Sequence, residues 1–363
     1  MQRSFAVLTL FGASLFATAG DSYAGNTQIS QTSNGDQTGI NSYSIDGANI
    51  LNGDFNRSKS PAVVTGIPYE PATERSVDQS ILNAANILLS KQTSIQSARQ
   101  VMVGTQGAEN IISTGNTEYH AVTAQIGENL ANIVMAFEVN EISQAFGPGA
   151  TQSVYNELSG TAAGLIDVTQ VGRNTANIVE ATLSIGTGEQ LFPSGTTQTI
   201  HNVVSLDHAG TSARPINQSG TNIGNVLVAD EVRNVMRVFS GDQIVRNSVT
   251  SEDGNTPSGI TQSGVNIANF VSARHASGLK QISDGRQLVV NEVEGMTLEE
   301  INRNAAGNTF SSSNIVNLLE IQSLDKPETG SAITASQRAN QTQTVDVNQG
   351  VHSQVGNAAS ISR

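Results

Sequence analysis

At 363 residues, with 37% hydrophobic, 4% aromatic and 13% charged side chains, 34 Gly, no Cys and no Trp, the chain lacks the mix from which an ordinary enzyme core is built. Without Cys it is not held by disulfides, and a net charge of −13 with a pI near 4.7 argues against nucleic acid as a partner. Disorder or a repeat array fits this composition better than a single packed enzyme core does.

Residues 1–24 have the layout of a secretory signal peptide. Arg3 supplies the positive region, Phe5 to Ala17 the apolar run, and Ala17-Thr-Ala19 or Ser22-Tyr-Ala24 the small-residue cleavage site. The run is too short to span a bilayer comfortably, so no transmembrane anchor is expected. Residues 25–75 read as a degenerate first repeat, carried by Gln37, Gly39 and Asn41, followed by a loop containing Pro61, Pro68 and Pro71.

From 76 to 301 the chain repeats itself. One motif is Gln-x-Gly-x-Asn-x-Ala-Asn, with Gln125 and Asn129, Gln170 and Asn174, Gln218 and Asn222, and Gln262 and Asn266 as its anchors; Gln79, Asn83 and Asn86 form a looser copy. Asn41, Asn83, Asn129, Asn174, Asn222, Asn266 and Asn314 then follow one another in steps of 42, 46, 45, 48, 44 and 48 residues. A second motif, Gln-x-x-x-Asn-x-aliphatic, sits inside each period: Gln106 and Asn110, Gln152 and Asn156, Gln198 and Asn202, Gln243 and Asn247, Gln287 and Asn291. Self-similarity at this period marks a stacked array.

Parity gives the local structure. In the second motif Gln243, Val245, Asn247 and Val249 share one strand face, while Arg246, and in other copies His201, Glu109, Tyr155 and Glu292, lie opposite. In the first motif the uniform face reads Gln, Gly, Asn, Ala and then Ile133, Ile178, Val226 or Phe270. A face that repeats amides must satisfy them, since an unpartnered buried amide costs about 1–3 kcal/mol. Stacking does so: repeats lying about 4.8 Å apart let each Gln or Asn bond to its counterpart one layer along. The expected fold is all-β, a β-solenoid of about seven repeats of about 45 residues with stacked Gln/Asn ladders. The unequal half spacings favour one layer per repeat. Pro148, Pro193, Pro215 and Pro257 fall between motifs, where turns belong.

Met296–Asn302 reads as one helical turn at an insertion, and 302–363 as a degraded repeat and C-terminal cap. In that segment Phe310 stands where a Gln is expected, and Gln354-Val-Gly356-Asn357 resembles a partial further copy.

Chemistry is thin. His120, His201, His208, His275 and His352 lie at different phases of the repeat without metal spacing, and Asp230/Glu231 and Glu299/Glu300 read as solvated charge. No nucleophile elbow, phosphate loop or zinc-protease motif occurs. No enzyme activity, cofactor or metal is expected.

A signal peptide, no Cys, and tandem Gln-x-Gly-x-Asn-x-Ala copies at 125–132, 170–177 and 262–269 together resemble the bacterial functional amyloids. These are the curlins of curli fibres and the longer-repeat Fap-type fibre proteins, whose resemblance here covers about residues 37–357. It implies export across the outer membrane through a secretion pore, nucleated assembly into cross-β fibres, and a role in biofilm matrix and adhesion, with the chain itself as principal partner. The Gln and Asn anchors of both motifs, Gln125 to Asn291, are the expected stacking residues. A monomeric β-helix adhesin with capped ends is the alternative, and a polysaccharide-cleaving β-helix enzyme a third reading.

Overall fold

The computed structural model describes residues 28–44, 75–113, 121–160, 167–207, 209, 214–251, 257–294, 308–322, 335–339, 342–347, 351–355 and 358–362. The expected signal peptide, the Pro61–Pro71 loop, the helical turn at Met296–Asn302, His120 and His208 lie outside these residues. No helix occurs among the described residues, and every strand pairing is parallel.

The strands form a 15-stranded and a 7-stranded sheet. The second consists entirely of second-motif strands, from Gln37–Ser44 through Thr105–Ser113, Thr151–Gly160, Thr197–Leu206, Asp242–Ser251 and Arg286–Glu294 to Thr342–Val347. Pairing is in register, like on like: Gln125 faces Gln170, Asn129 faces Asn174, Gln198 faces Gln243. Each repeat therefore adds one rung to each sheet, as the spacing favoured. The larger sheet takes three consecutive stretches of each repeat: the first-motif strand, a corner segment after its last Asn, and a returning third segment. Ala121–Phe146 runs through all three without a break, and Ile216–Arg233 through more than one. With Val168–Ala181 and Ser184–Phe192 these two long strands close a four-strand ring of pairings.

The corner is made by one residue. Asn86, Asn132, Asn177 and Asn225 have φ of 54° to 55°, the left-handed region that Asn tolerates better than most side chains. Such a residue breaks strict alternation, so Ala131 and Asn132 both point inward and Val134 and Ala136 follow. This corrects the expected face: Ile133, Ile178, Val226 and Phe270 do not continue the Gln-Gly-Asn-Ala face. They pack with Leu130, Met135 and Ile223 in a separate cluster on the other side of the bend. The inward Val134, Ala136, Val139 and Ile142 join equivalents from other rungs in the core between corner and third segments.

Two register assignments also change. Gln37 and Asn41 face Gln106 and Asn110, so this stretch is a second-motif strand, 69 residues from its counterpart because residues 45–74 intervene. Both motifs share Gln-x-x-x-Asn, and Gly39 imitates the first motif. Gln354 pairs with Asn314 in the backbone register, four places from where its resemblance to the first motif puts it.

Between the motif strands the core is a fitted pair of surfaces. A Cβ on Gly127, Gly172, Gly220 or Gly264 would overlap Val154, Ile200, Val245 or Val289, the central aliphatic residue of the facing second motif. At the first rung the sizes are exchanged: Gly39 lies against Ile81. One partner must lack a side chain, and either strand serves.

Candidate assembly site: six amide columns

The sixteen expected stacking residues, Gln125 to Asn291, lie inside the stack, 0% to 2% exposed, as do Gln106 and Asn110. Each first-motif Asn Nδ2 donates to the Asn Oδ1 of the next rung: Asn83 to Asn129 and Asn129 to Asn174 at 2.8 Å, Asn174 to Asn222, Asn222 to Asn266 and Asn266 to Asn314 at 2.9 Å. Second-motif Asn residues do the same from Asn110 through Asn156, Asn202 and Asn247 to Asn291. The Gln columns run the other way. Gln125 Nε2 donates back to Gln79 at 2.9 Å, and Gln170, Gln218 and Gln262 each donate to the preceding rung at 2.8 Å. Gln106, Gln152, Gln198, Gln243 and Gln287 form the matching second-motif column down to Gln37.

Backbone carbonyls fix which end of each amide is nitrogen. First-motif Asn129 Nδ2 also donates to Ser153 O at 2.8 Å, the carbonyl just after second-motif Gln152. Second-motif Gln152 returns a bond to Thr175 O, just after first-motif Asn174, and Asn156 to Val171 O, just after Gln170. The two motifs thus clasp each other across the core with the same two-amide device, read in opposite chain directions. Every buried amide is held by its own column and by the facing strand, which offsets the cost of desolvating it.

Two further columns lie outside the expected set. The bend Asn residues stack from Asn86 through Asn132, Asn177, Asn225 and Asn269 to Asn317 at 2.7 to 3.0 Å. Opposite them in the third segment, Gln190 donates to Gln144, Gln144 to Gln100 and Gln100 to Gln31. Bend and third segment are clasped by the same logic: Asn132 Nδ2 reaches Ala145 O, and Gln144 Nε2 reaches Asn132 O at 2.6 Å. Beside them Phe146, Phe192 and Phe239 stack with centroids 4.8 and 4.5 Å apart.

The columns have ends. Phe310 faces Gln262, as the sequence indicated, and Gln262 Oε1 has no partner. Asn83 Oδ1 has none at the first rung, and Asn291 Nδ2 turns to Ser311 O and Ser312 Oγ, Val347 standing opposite its backbone.

The outer faces are varied: apolar at the bend and mixed elsewhere. Along the second-motif face Glu109, Tyr155, His201 and Arg246 occupy successive rungs. Burial, then the bond to Glu157 at 2.7 Å, pushes the Tyr155 hydroxyl up to about 12. Burial, then the Arg246 charge, holds His201 below the ordinary imidazole value. Burial raises Glu128, with Arg173 working against it. Among the described residues no three His, Cys, Asp or Glu gather as metal ligands, and no helix is long and apolar enough to cross a membrane.

These features define a class: an all-β protein of parallel, in-register strands cross-linked by self-complementary amide columns. Beyond that class, no protein-family model, no curated protein and no solved structure matches the chain.

Proposed function

We propose that this protein is a secreted structural subunit, a β-solenoid of seven coils that stacks end on end with other copies into cross-β fibres. In the manner of the functional amyloids it resembles, its fibres would serve biofilm matrix and adhesion, and a secretion pore and nucleator are its other proposed partners.

The observation that carries this reading is the phase match between the two ends of the stack. Among the described residues the third-segment side holds seven rungs, from Gln31 to Gln337, and the second-motif side seven, from Gln37 to Gln343. The first-motif side also holds seven, from Asn83 to Gln354, and the corner side seven, from Ile87 to Ala358. The uppermost described strand, Ala358–Ser362, lies on the corner side; the side that follows it in every coil is the one where Gln28–Ser33 begins. A second copy placed above would thus resume the order of sides that the described strands follow. Edge backbone groups supply the affinity and the column ends the register. The Asn columns donate upward, so the acceptor left over at Asn83 Oδ1 suits a donor arriving from below.

Electron microscopy and fibre diffraction of the mature chain after removal of denaturant test this. Unbranched fibres with a meridional reflection near about 4.8 Å are expected. A chain that stays monomeric in sedimentation at high concentration would sink the fibre reading and leave the capped adhesin.

A further inference from the structure

One residue in the third column is of a different kind. Where Gln100, Gln144, Gln190 and Gln281 stand in the other rungs, the fifth carries Arg237, which is 0% exposed. Its Nε donates to Gln190 Oε1 at 3.0 Å, continuing the column downward, but Nη1 and Nη2 have no partner. The glutamines send their second N–H to carbonyls of the bend, as Gln190 does to Asn177 O at 2.6 Å and Val226 O at 3.1 Å. The guanidinium makes neither of these carbonyl bonds.

A guanidinium does not shed its proton inside a protein. An unpaired buried cation is among the costliest things a core can hold, and it persists where a counter-charge is supplied. The described residues supply none: no Asp or Glu is among their buried side chains. Burial is the one influence on this group, with no charge opposing it. Water would satisfy the N–H groups and leave the charge. A carboxylate from the outer faces would have to cross a sheet. A divalent oxyanion would overcompensate one charge. What would balance a single charge and accept from both unpartnered Nη groups is a small monovalent anion.

We infer that the interior beside Arg237 is a binding site for a small inorganic anion of the halide class, enclosed between the guanidinium and the flanking rungs. An ion that binds the folded state alone stabilises it by mass action. The effect saturates, depends on the identity of the anion, and is centred on one rung. Amide exchange there should slow by about tenfold at an anion concentration ten times the dissociation constant.

The test is hydrogen–deuterium exchange of the full mature chain, kept unassembled, in sodium gluconate, chloride, bromide and sulfate at one ionic strength. Protection of the strand Val235–Phe239 should rise saturably with chloride and bromide and stay at the gluconate level in sulfate. Arg237→Gln should lose that dependence while matching or exceeding wild-type protection in gluconate, because it completes the amide column. Arg237→Lys keeps the charge and should keep a weaker dependence, which covers the case of a glutamine variant that does not fold. Chloride NMR should show excess line broadening with the wild type that Arg237→Gln abolishes. Equal protection in gluconate and chloride, or an undiminished chloride effect in Arg237→Gln, would overturn the assignment.

Discussion

The rungs from Gln79 to Gln198 and those from Arg237 to Phe310 use one plan with different fidelity. In the lower group two strands run unbroken for 28 and 26 residues, the next rung being split once, and above the first rung no column amide lacks a partner. In the upper group the equivalent path is split into Ile260–Ile267, Phe270–Ser277 and Leu279–Ser283. There Arg237, Gln262, Ser283 and Gln287 all hold unpartnered buried atoms. The phenylalanine stack of Phe146, Phe192 and Phe239 stops at Ser283. The lesson is that an amide column is cooperative in a literal sense: one wrong residue leaves a good neighbour unsatisfied. Gln262 is flawless in itself and is orphaned by Phe310.

The largest expected effect comes from breaking the regular region where it is apolar. Phe192→Ala opens a gap between two stacked rings and should cost about 3–5 kcal/mol in urea unfolding of the unassembled chain. Ser283→Ala, in the irregular region, should instead stabilise by about 1 kcal/mol by removing an orphaned hydroxyl. A loss on Ser283→Ala would mean that its hydroxyl is satisfied after all.

Column breaks come next. Gln170→Met leaves Gln125 Oε1 and Gln218 Nε2 without their column partners and should cost about 2–4 kcal/mol. Gln262→Met takes a column partner from Gln218 Oε1 alone, together with the bond to Glu292 O, and removes an atom already unpartnered, so a smaller cost of about 1 kcal/mol is expected. Fibre growth should rank the same way, Gln170→Ala with Asn174→Ala slowing it more than Gln262→Ala with Asn266→Ala. Equal costs at the two heights would refute column cooperativity. A smaller effect tests the fitted surfaces: Gly220→Ala presses a methyl into Val245 and should cost about 1–3 kcal/mol. Val245→Ala in the same chain should recover part of it, because the Gly39 and Ile81 pair already shows that size can be exchanged across this contact.

The sixteen motif amides were legible because they recur in two registers at once, and a side chain that must match its neighbour above and below leaves a period in the sequence. The third column was not, although Gln100, Gln144, Gln190, Gln281 and Gln337 recur too. Arg237 interrupts it, and the last step stretches to 56 residues. The bend was hidden for another reason: the second Asn of Ala131-Asn132 belongs to the motif, but nothing in a pattern of alternation announces a left-handed residue that resets it. Gln37 and Asn41 went to the wrong side because the two motifs are the same device on facing strands. Spacing cannot tell them apart, and only residues 45–74, intervening before the next strand, decide.

The smallest expected effect is also the one that reaches the regular rungs from outside. His201 lies on the second-motif face between Tyr155 and Arg246, with its folded pKa below the ordinary 6.5. The unfolded chain therefore binds more protons than the folded one in the window beneath about 6.5. Stability should be full above that value, fall as pH drops toward the folded pKa, and fall no further below it. Arg237 carries its charge throughout this range, so the flaw of the upper rungs does not respond to mild acid. Exchange measured at pH 7.5 and 5.5 should show protection lost around Thr197–Leu206 and its paired strands, and His201→Gln should remove that loss while leaving Val235–Phe239 unchanged. If acid loosens Val235–Phe239 first, the upper rungs are weakened by something that titrates, and the division between the two regions rests on a different residue from Arg237.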